Sequence, residues 1–92
     1  MKEKKAIAVG YSFGMSPEIL ASAKGLLVDR LISIAKEHDI TVVNNADLAE
    51  TLSLMKVGDM IPENLFRVMS EVLAYCYRVN EKFRKKMLNS GL

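Results

Sequence analysis

Short apolar runs bounded by turn residues predict the strands of this chain. Residues 6–9 form an apolar run that ends at Gly10, which is typical of a buried strand. Residues 12–17 are rich in serine, glycine and proline and are predicted to form a loop. Residues 19–23 are predicted to form a second strand, although alanines are weak strand formers. Residues 40–43 are β-branched throughout, so they are the strongest strand prediction in the sequence.

A helical period of apolar positions begins near residue 26. Over residues 26–38 the pattern predicts one helix with a single apolar stripe. Asn44 or Asn45 is expected to cap a short second helix. Pro62 is expected to open the longest helix, since its missing N–H costs nothing at a helix start. The stripe of the first helix comprises Leu27, Leu31, Ile34 and Ala35, and that of the longest helix Leu65, Met69, Val72, Leu73, Cys76, Asn80, Phe83 and Met87.

This order of elements predicts an α/β fold. We expect a small sheet of about three to four strands, with helices packed against it and a long C-terminal helix. The 92 residues are enough for one domain. Within it we expect a flexible basic N-terminus at residues 1–5, a core at 6–80 and a basic helical extension at 81–92.

Composition argues against an enzyme, a metal site or a bound cofactor. Half of the residues are hydrophobic, and the formal net charge is only +2. Cys76 is the single cysteine, and His38 lies at a predicted helix end, where a cation suits the helix dipole. The sequence has no nucleophile elbow, zinc-binding motif or glycine-rich phosphate loop. It contains no apolar run long enough to span a membrane, and its N-terminus does not have the pattern of a signal peptide. We therefore expect a cytosolic chain.

Basic residues are concentrated near the C-terminus. Residues 78–86 contain five basic side chains against one acidic side chain, Glu81. The cluster is either a solvated helix end or a contact for an anionic membrane surface or an acidic partner. Nucleic acid is not expected, because no aromatic residues alternate with the basic ones. The basic residues are Arg78, Lys82, Arg84, Lys85 and Lys86.

Two blocks of sequence are distinctive, namely Gly58-Asp59-Met60-Ile61-Pro62-Glu63 and Glu71-Val72-Leu73-Ala74-Tyr75. Both resemble the FlhB family of type III export proteins, which includes the injectisome proteins YscU and Spa40. Ala23-Lys24-Gly25 and residues 34–43 extend the resemblance. It implies the cytoplasmic C-terminal domain of that family, without the membrane-spanning half, and a position beside the export gate of the inner membrane.

The resemblance also implies a difference in chemistry. Family members cleave themselves within an Asn-Pro-Thr-His loop just before the strand that corresponds to residues 7–9. The corresponding residues here are Glu3, Lys4, Lys5 and Ala6, which lack both the asparagine amide and the histidine imidazole. We therefore expect no autocleavage and a non-enzymatic role.

The family's role implies a docking function for export substrates or other parts of the apparatus. By position, a shallow apolar pocket for rod- and hook-type substrates would include Ile19, Leu20, Ser70 and Leu73. Core packing is the alternative for Ile19, Leu20 and Leu73. Glu18 and Ser70 are more polar than expected there, which would alter docking.

A second hypothesis is structural. The chain would complete a truncated, membrane-bound FlhB-like protein, through a strand edge formed by Ile7, Ala8 and Val9. Self-association through the same edge would give a weak homodimer instead of a monomer. The resemblance implies a component of the flagellar export apparatus, with an injectisome equivalent as an alternative that the sequence does not separate from it.

Overall fold

The structure is a computed structural model that describes residues 3–11 and 17–90, with side chains through residue 88. Its strands are β1 (Lys5–Gly10) and β2 (Glu18–Lys24), and its helices are α1 (Leu27–Glu37), α2 (Ala46–Leu52), α3 (Phe66–Val79) and α4 (Glu81–Ser90). A short 3₁₀ helix, Glu63–Leu65, precedes α3. The α/β class, both N-terminal strands and the first two helices are confirmed. The predicted loop lies almost wholly outside the described residues.

The two strands pair as an antiparallel ribbon. Lys5 is opposite Lys24, and Gly10 is opposite Glu18. Ala8 is opposite Ala21 whereas Val9 is opposite Ile19, so Leu20 is an extra residue that forms a β-bulge. Because side chains alternate along a strand, the alanines of both strands share the face against which α1 packs.

The connection between α2 and α3 occupies the other edge of β2. The N–H of Ile19 donates to the Asp59 carbonyl at 2.9 Å, and the N–H of Gly58 donates to the Ile19 carbonyl at 2.7 Å. The N–H of Ile61 donates to the Pro17 carbonyl at 2.8 Å, and Glu18 and Met60 form an antiparallel bridge. This pairing fixes the start of α3 beneath the ribbon.

One hydrophobic cluster joins these elements. Ile19 is fully buried and Ile61 is 2% exposed; Leu52 of α2 and Met69 of α3 complete the cluster. Val28 of α1, which contacts both strands, and Ala23 of β2 are also buried but lie outside this cluster. Partly buried residues around the cluster are Ile7, Val9, Leu48, Met55 and Leu65.

The buried stripe of α1 differs from the predicted one by a small rotation. Val28 is buried and Leu31, Ile32 and Ala35 are half-buried, whereas Leu27 is 61% exposed. Leu31 and Ala35 were predicted correctly; Leu27 and Ile34 were not. The ribbon covers only the side of α1 that faces its alanines, so the position of the ribbon determines which residues of α1 are buried.

Residues 40–43 do not form the predicted strand, so the sheet has two strands in the part of the chain that the structure describes. Helix α1 ends with Asp39 in the left-handed conformation at φ 57°, and the N–H of Ile40 returns to the Ala35 carbonyl at 2.9 Å. One edge of β2 is taken by β1 and the other by residues 58–61. β-Branched residues favour a strand only where a neighbouring strand can pair with them.

The short helix α2 begins as predicted. Asn45 is its N-cap, with extended backbone, and its side-chain oxygen accepts a hydrogen bond from the N–H of Leu48 at 3.0 Å. Leu52 at the end of α2 is buried, and Leu48 and Met55 are half-buried.

The predicted longest helix is broken in two at Asn80. Its backbone is extended there, at φ −120° and ψ 101°. Its side-chain oxygen accepts a hydrogen bond from the N–H of Phe83 at 2.9 Å, so Asn80 is the N-cap of α4. The guanidinium of Arg84 donates to the carbonyls of Tyr77 at 3.1 Å and Arg78 at 3.4 Å, at the C-terminal end of α3.

Gly58 provides a test of the pairing along β2. Its φ of 94° lies where side chains are strained, although no atom of the described residues lies within 4 Å of an added Cβ. We expect Gly58→Ala to lower the free energy of unfolding by about 1–2 kcal/mol, measured by chemical denaturation. Gly58→Asn should lose less, because asparagine tolerates positive φ better. Equal stability of the alanine variant and the wild type would contradict this prediction.

Arg84 provides a test of the helix corner. Replacing it with glutamine should lower the free energy of unfolding by about 1 kcal/mol, because two carbonyls of α3 lose a charged donor. The matched control is Lys82→Gln, since Lys82 is an exposed residue of α4 without a hydrogen bond or ion pair within the described residues. The control should change stability by less than about 0.5 kcal/mol. Equal losses in both variants would assign the effect to charge alone.

Candidate functional site

A groove of about 500 Å³ lies at the corner of α3 and α4 and is open to solvent. Its lining is mainly apolar and aromatic, and helix α3 supplies most of it. Of the described lining residues, one directly follows β1, five belong to α3 and two belong to α4. In chain order they are Tyr11, Ser70, Leu73, Ala74, Tyr77, Arg78, Phe83 and Met87. Such a volume can hold one or two side chains of a bound peptide segment.

The chemistry of this groove is suited to binding. Tyr11, Tyr77 and Phe83 offer aromatic surface, which carries much of the energy in peptide recognition. Among the described lining residues Arg78 is the one cation, and it favours a partner with an acidic group next to its apolar contacts. None of these described residues is a carboxylate, a histidine or a cysteine.

The four residues predicted for a docking pocket lie in three different places. Ser70 and Leu73 line the groove together. Ile19 is fully buried in the core, which corresponds to the packing alternative. Leu20 is 54% exposed at the bulge and packs beside Gly10, where an added Cβ would lie 2.7 Å from its Cδ1 atom.

The sequence analysis did not identify five of the described lining residues, namely Tyr11, Ala74, Tyr77, Phe83 and Met87. Phe83 and Met87 belong to the predicted apolar stripe together with Leu73, but they were assigned to the basic helical extension at residues 81–92. Tyr77 lies one helical turn after Leu73, and that spacing could have identified it. Tyr11 directly follows β1, and no sequence pattern relates it to α3.

The basic cluster at the C-terminus is divided among different roles. Arg84 is committed to the carbonyls of α3, and Lys85 pairs with Glu81 at 3.2 Å. Arg78 lines the groove, whereas Lys82 is exposed. The cluster is therefore not a uniform basic face.

The outer edge of β1 has unpaired backbone groups. The N–H of Gly25 donates to the Lys4 carbonyl, so alternation directs the N–H groups of Ala6 and Ala8 toward β2. The N–H and C=O groups of Lys5, Ile7 and Val9 then face outward. No other described backbone segment pairs with this edge. The Lys5 ammonium is held by Glu50 of α2 at 2.8 Å, so it is not a free charge at the edge.

The remaining candidate groups have structural surroundings. Burial raises the pKa of the Cys76 thiol, and a hydrogen bond with Thr41 only partly offsets this, so the thiol stays protonated at neutral pH. His38 is the C-cap residue of α1. Among residues 3–11 and 17–90, no three His, Cys, Asp or Glu side chains are grouped to hold a metal ion. None of the described helices is both long enough and apolar enough to cross a membrane.

Comparison with known proteins places this geometry in a family. The sequence profile of the FlhB HrpN YscU SpaS family matches residues 3–76. The uncharacterized protein YlqH of Bacillus subtilis is 28% identical over 85 residues, covering 90% of this chain and 91% of YlqH. The flagellar biosynthetic protein FlhB of Bacillus subtilis is 37% identical over 68 residues, covering 73% of this chain and 19% of FlhB.

Solved structures agree with the sequence comparison. The crystal structure of the PscU C-terminal domain superposes with a TM-score of 0.72 and 30% identity, covering 77% of this chain and 94% of that domain. The chain spans about a fifth of FlhB but nearly all of YlqH. The profile match, the relatives and the shared fold together show that this chain belongs to the FlhB HrpN YscU SpaS family.

Proposed function

We propose that this protein is a non-enzymatic docking module of a bacterial type III export apparatus. The observation that carries the proposal is the groove at the α3–α4 corner, on a fold shared with the PscU C-terminal domain. Its apolar and aromatic lining suits a short segment of another protein. Export substrates and other cytoplasmic parts of the apparatus are the proposed occupants.

The contact residues follow from the groove. Leu73, Tyr77 and Phe83 would receive the apolar side chains of a bound segment, and Arg78 would pair with an acidic residue beside them. Ser70 gives this surface a polar position, which would change the selection of substrates. Ile19 supports the site from the core and takes no part in contact.

The proposal includes no self-cleavage. Glu3 and Lys4 occupy the places of the asparagine and proline between which family members are cut, and a glutamate cannot use an amide nitrogen as nucleophile. The chain would act in the cytoplasm, close to the membrane-embedded export gate. A flagellar system is favoured over an injectisome because FlhB proteins named for flagellar biosynthesis are among its relatives.

The outer edge of β1 favours a second candidate function, structural completion of a membrane-bound FlhB-like protein. An added strand would pair with the outward N–H and C=O groups of Lys5, Ile7 and Val9. Among the described residues, the β-branched residues 40–43 also have no strand partner, and the side chains of Ile40, Val42 and Val43 are exposed. An open strand edge together with an unpaired β-branched stretch is expected where another chain supplies a strand.

Tyr77 and Tyr75 provide a matched test of the docking function. Both belong to α3 and are 37% and 38% exposed, but only Tyr77 lines the groove. Labelled N-terminal segments of rod- and hook-type export subunits should bind the wild type saturably in a fluorescence anisotropy titration. Tyr77→Ala should weaken binding about tenfold or more, because a buried aromatic contact is lost.

Tyr75→Ala should leave the affinity nearly unchanged. If both tyrosine variants bind like the wild type, the groove is not the docking site. If no rod or hook segment binds the wild type, substrates are not its occupants.

Proline at position 7 tests the strand edge. A labelled peptide from the cytoplasmic stub of a membrane-bound FlhB should bind the wild type, and Ile7→Pro should abolish binding because proline removes an outward N–H. Ile7→Ala is the control, since it loses similar side-chain packing but keeps the N–H. The measurement is the peptide titration, with circular dichroism to verify that both variants are folded. Binding that survives the proline would place the contact away from this edge.

A further inference from the structure

The corner between α3 and α4 depends on the side chain of Asn80. Its amide nitrogen donates to the Asp39 carbonyl at 2.6 Å and to the Thr41 hydroxyl at 2.9 Å. Its amide oxygen accepts from the N–H of Phe83 at 2.9 Å. One side chain therefore ties the segment after α1 to the end of α3 and the start of α4.

The sequence around Asn80 favours a continuous helix. Residues 66–90 contain no proline or glycine, and the apolar period continues across position 80. The backbone N–H of Asn80 still donates to the Cys76 carbonyl, as in an unbroken helix. The break therefore comes from tertiary contacts and capping, with little contribution from local helix preference.

The groove exists because of this break. In one straight helix, Ser70 and Met87 would lie about 25 Å apart along the axis. In the structure both line a single groove with Leu73, Tyr77 and Phe83. Residues of α4 meet residues of α3 there because the chain turns at Asn80.

The segment after α1 is held against this corner from two sides. Thr41 accepts from Asn80, and its side chain also forms a hydrogen bond with the Cys76 thiol of α3. Asp39 presents its carbonyl from a left-handed backbone conformation at φ 57°. Ile40 lies between Asp39 and Thr41 and has an exposed side chain, so little apolar burial holds the segment in place.

We propose that Asn80 is the positioning residue of the groove, and that residues 39–41 are a latch that holds α3 and α4 bent. Releasing the latch lets the two helices join as one straight helix, in which α4 no longer faces α3 and the groove is lost. A partner that engages residues 39–41 would thereby control docking. The link to docking rests on the proposed function, whereas the bend itself does not.

The test is solution NMR on the free protein, which needs no ligand. In the wild type, the Cα shift of residue 80 should be strand-like, and nuclear Overhauser contacts should join Leu73 and Tyr77 to Met87. In Asn80→Ala, residues 79–81 should take helical Cα shifts, and those contacts should disappear. Asn80→Ser retains a capping oxygen but lacks the amide donors, so its α3–α4 contacts should weaken.

Two asparagines serve as controls. Asn45→Ala removes the cap of α2 and should lower stability by a similar amount without changing the α3–α4 contacts. Asn44→Ala changes an exposed asparagine that makes no hydrogen bond within the described residues, and it should behave as the wild type. These controls separate loss of the latch from general destabilisation.

Persistence of the Leu73–Met87 contacts in folded Asn80→Ala would overturn the proposal. If that variant does not fold, undiminished contacts in Asn80→Ser would overturn it equally. The titration with rod and hook segments is then repeated, and affinity should fall about tenfold or more in a straightened variant. Unchanged affinity in a variant with lost contacts would refute docking at the groove while leaving the latch supported.

Discussion

The pairing of residues 58–61 with β2 is the constraint on which the rest of the structure depends. It brings Ile19 and Ile61 onto adjacent, hydrogen-bonded backbone segments, where both are almost completely buried. Leu52 and Met69 pack into the same cluster, so α2 and α3 are positioned by it. A two-stranded ribbon alone is marginally stable, and here the third backbone segment and the helices provide the missing support.

With the start of α3 fixed in this way, the groove depends on the C-terminal end of this helix. The ribbon places Tyr11 beside α3, and the turn at Asn80 adds residues of α4 to the same groove. Arg84 satisfies carbonyls that the broken helix leaves open. Hydrogen bonds of Asn80 and Arg84 thus hold the corner, whereas the groove beside it is mainly apolar. This arrangement is suited to reversible binding.

Family membership and local chemistry support the same kind of role. The chain belongs to the family and shares its fold with the PscU C-terminal domain. The groove contains aromatic and aliphatic surface with one arginine, and the Cys76 thiol is kept protonated by burial. Binding, through the groove or along the open edge of β1, is the activity that these groups can support.

The α/β class, the first two strands, a helix cap at Asn44 or Asn45 and the family could all be predicted from the sequence alone. These depend on local patterns: apolar runs, turn residues, a side chain that caps its own helix, and short blocks of sequence. Of the groove, sequence similarity could place Ser70 and Leu73 at a common site, and the structure puts both in its lining.

The conformation of residues 40–43, the break at Asn80 and the burial of Ile19 depend on long-range contacts. A strand needs a neighbour, and within the described residues 40–43 pair with neither strand of the ribbon. A helix with favourable propensity ends where a distant segment, residues 39–41, offers its asparagine better hydrogen bonds. Each outcome depends on a partner remote in sequence, which local pattern does not reveal.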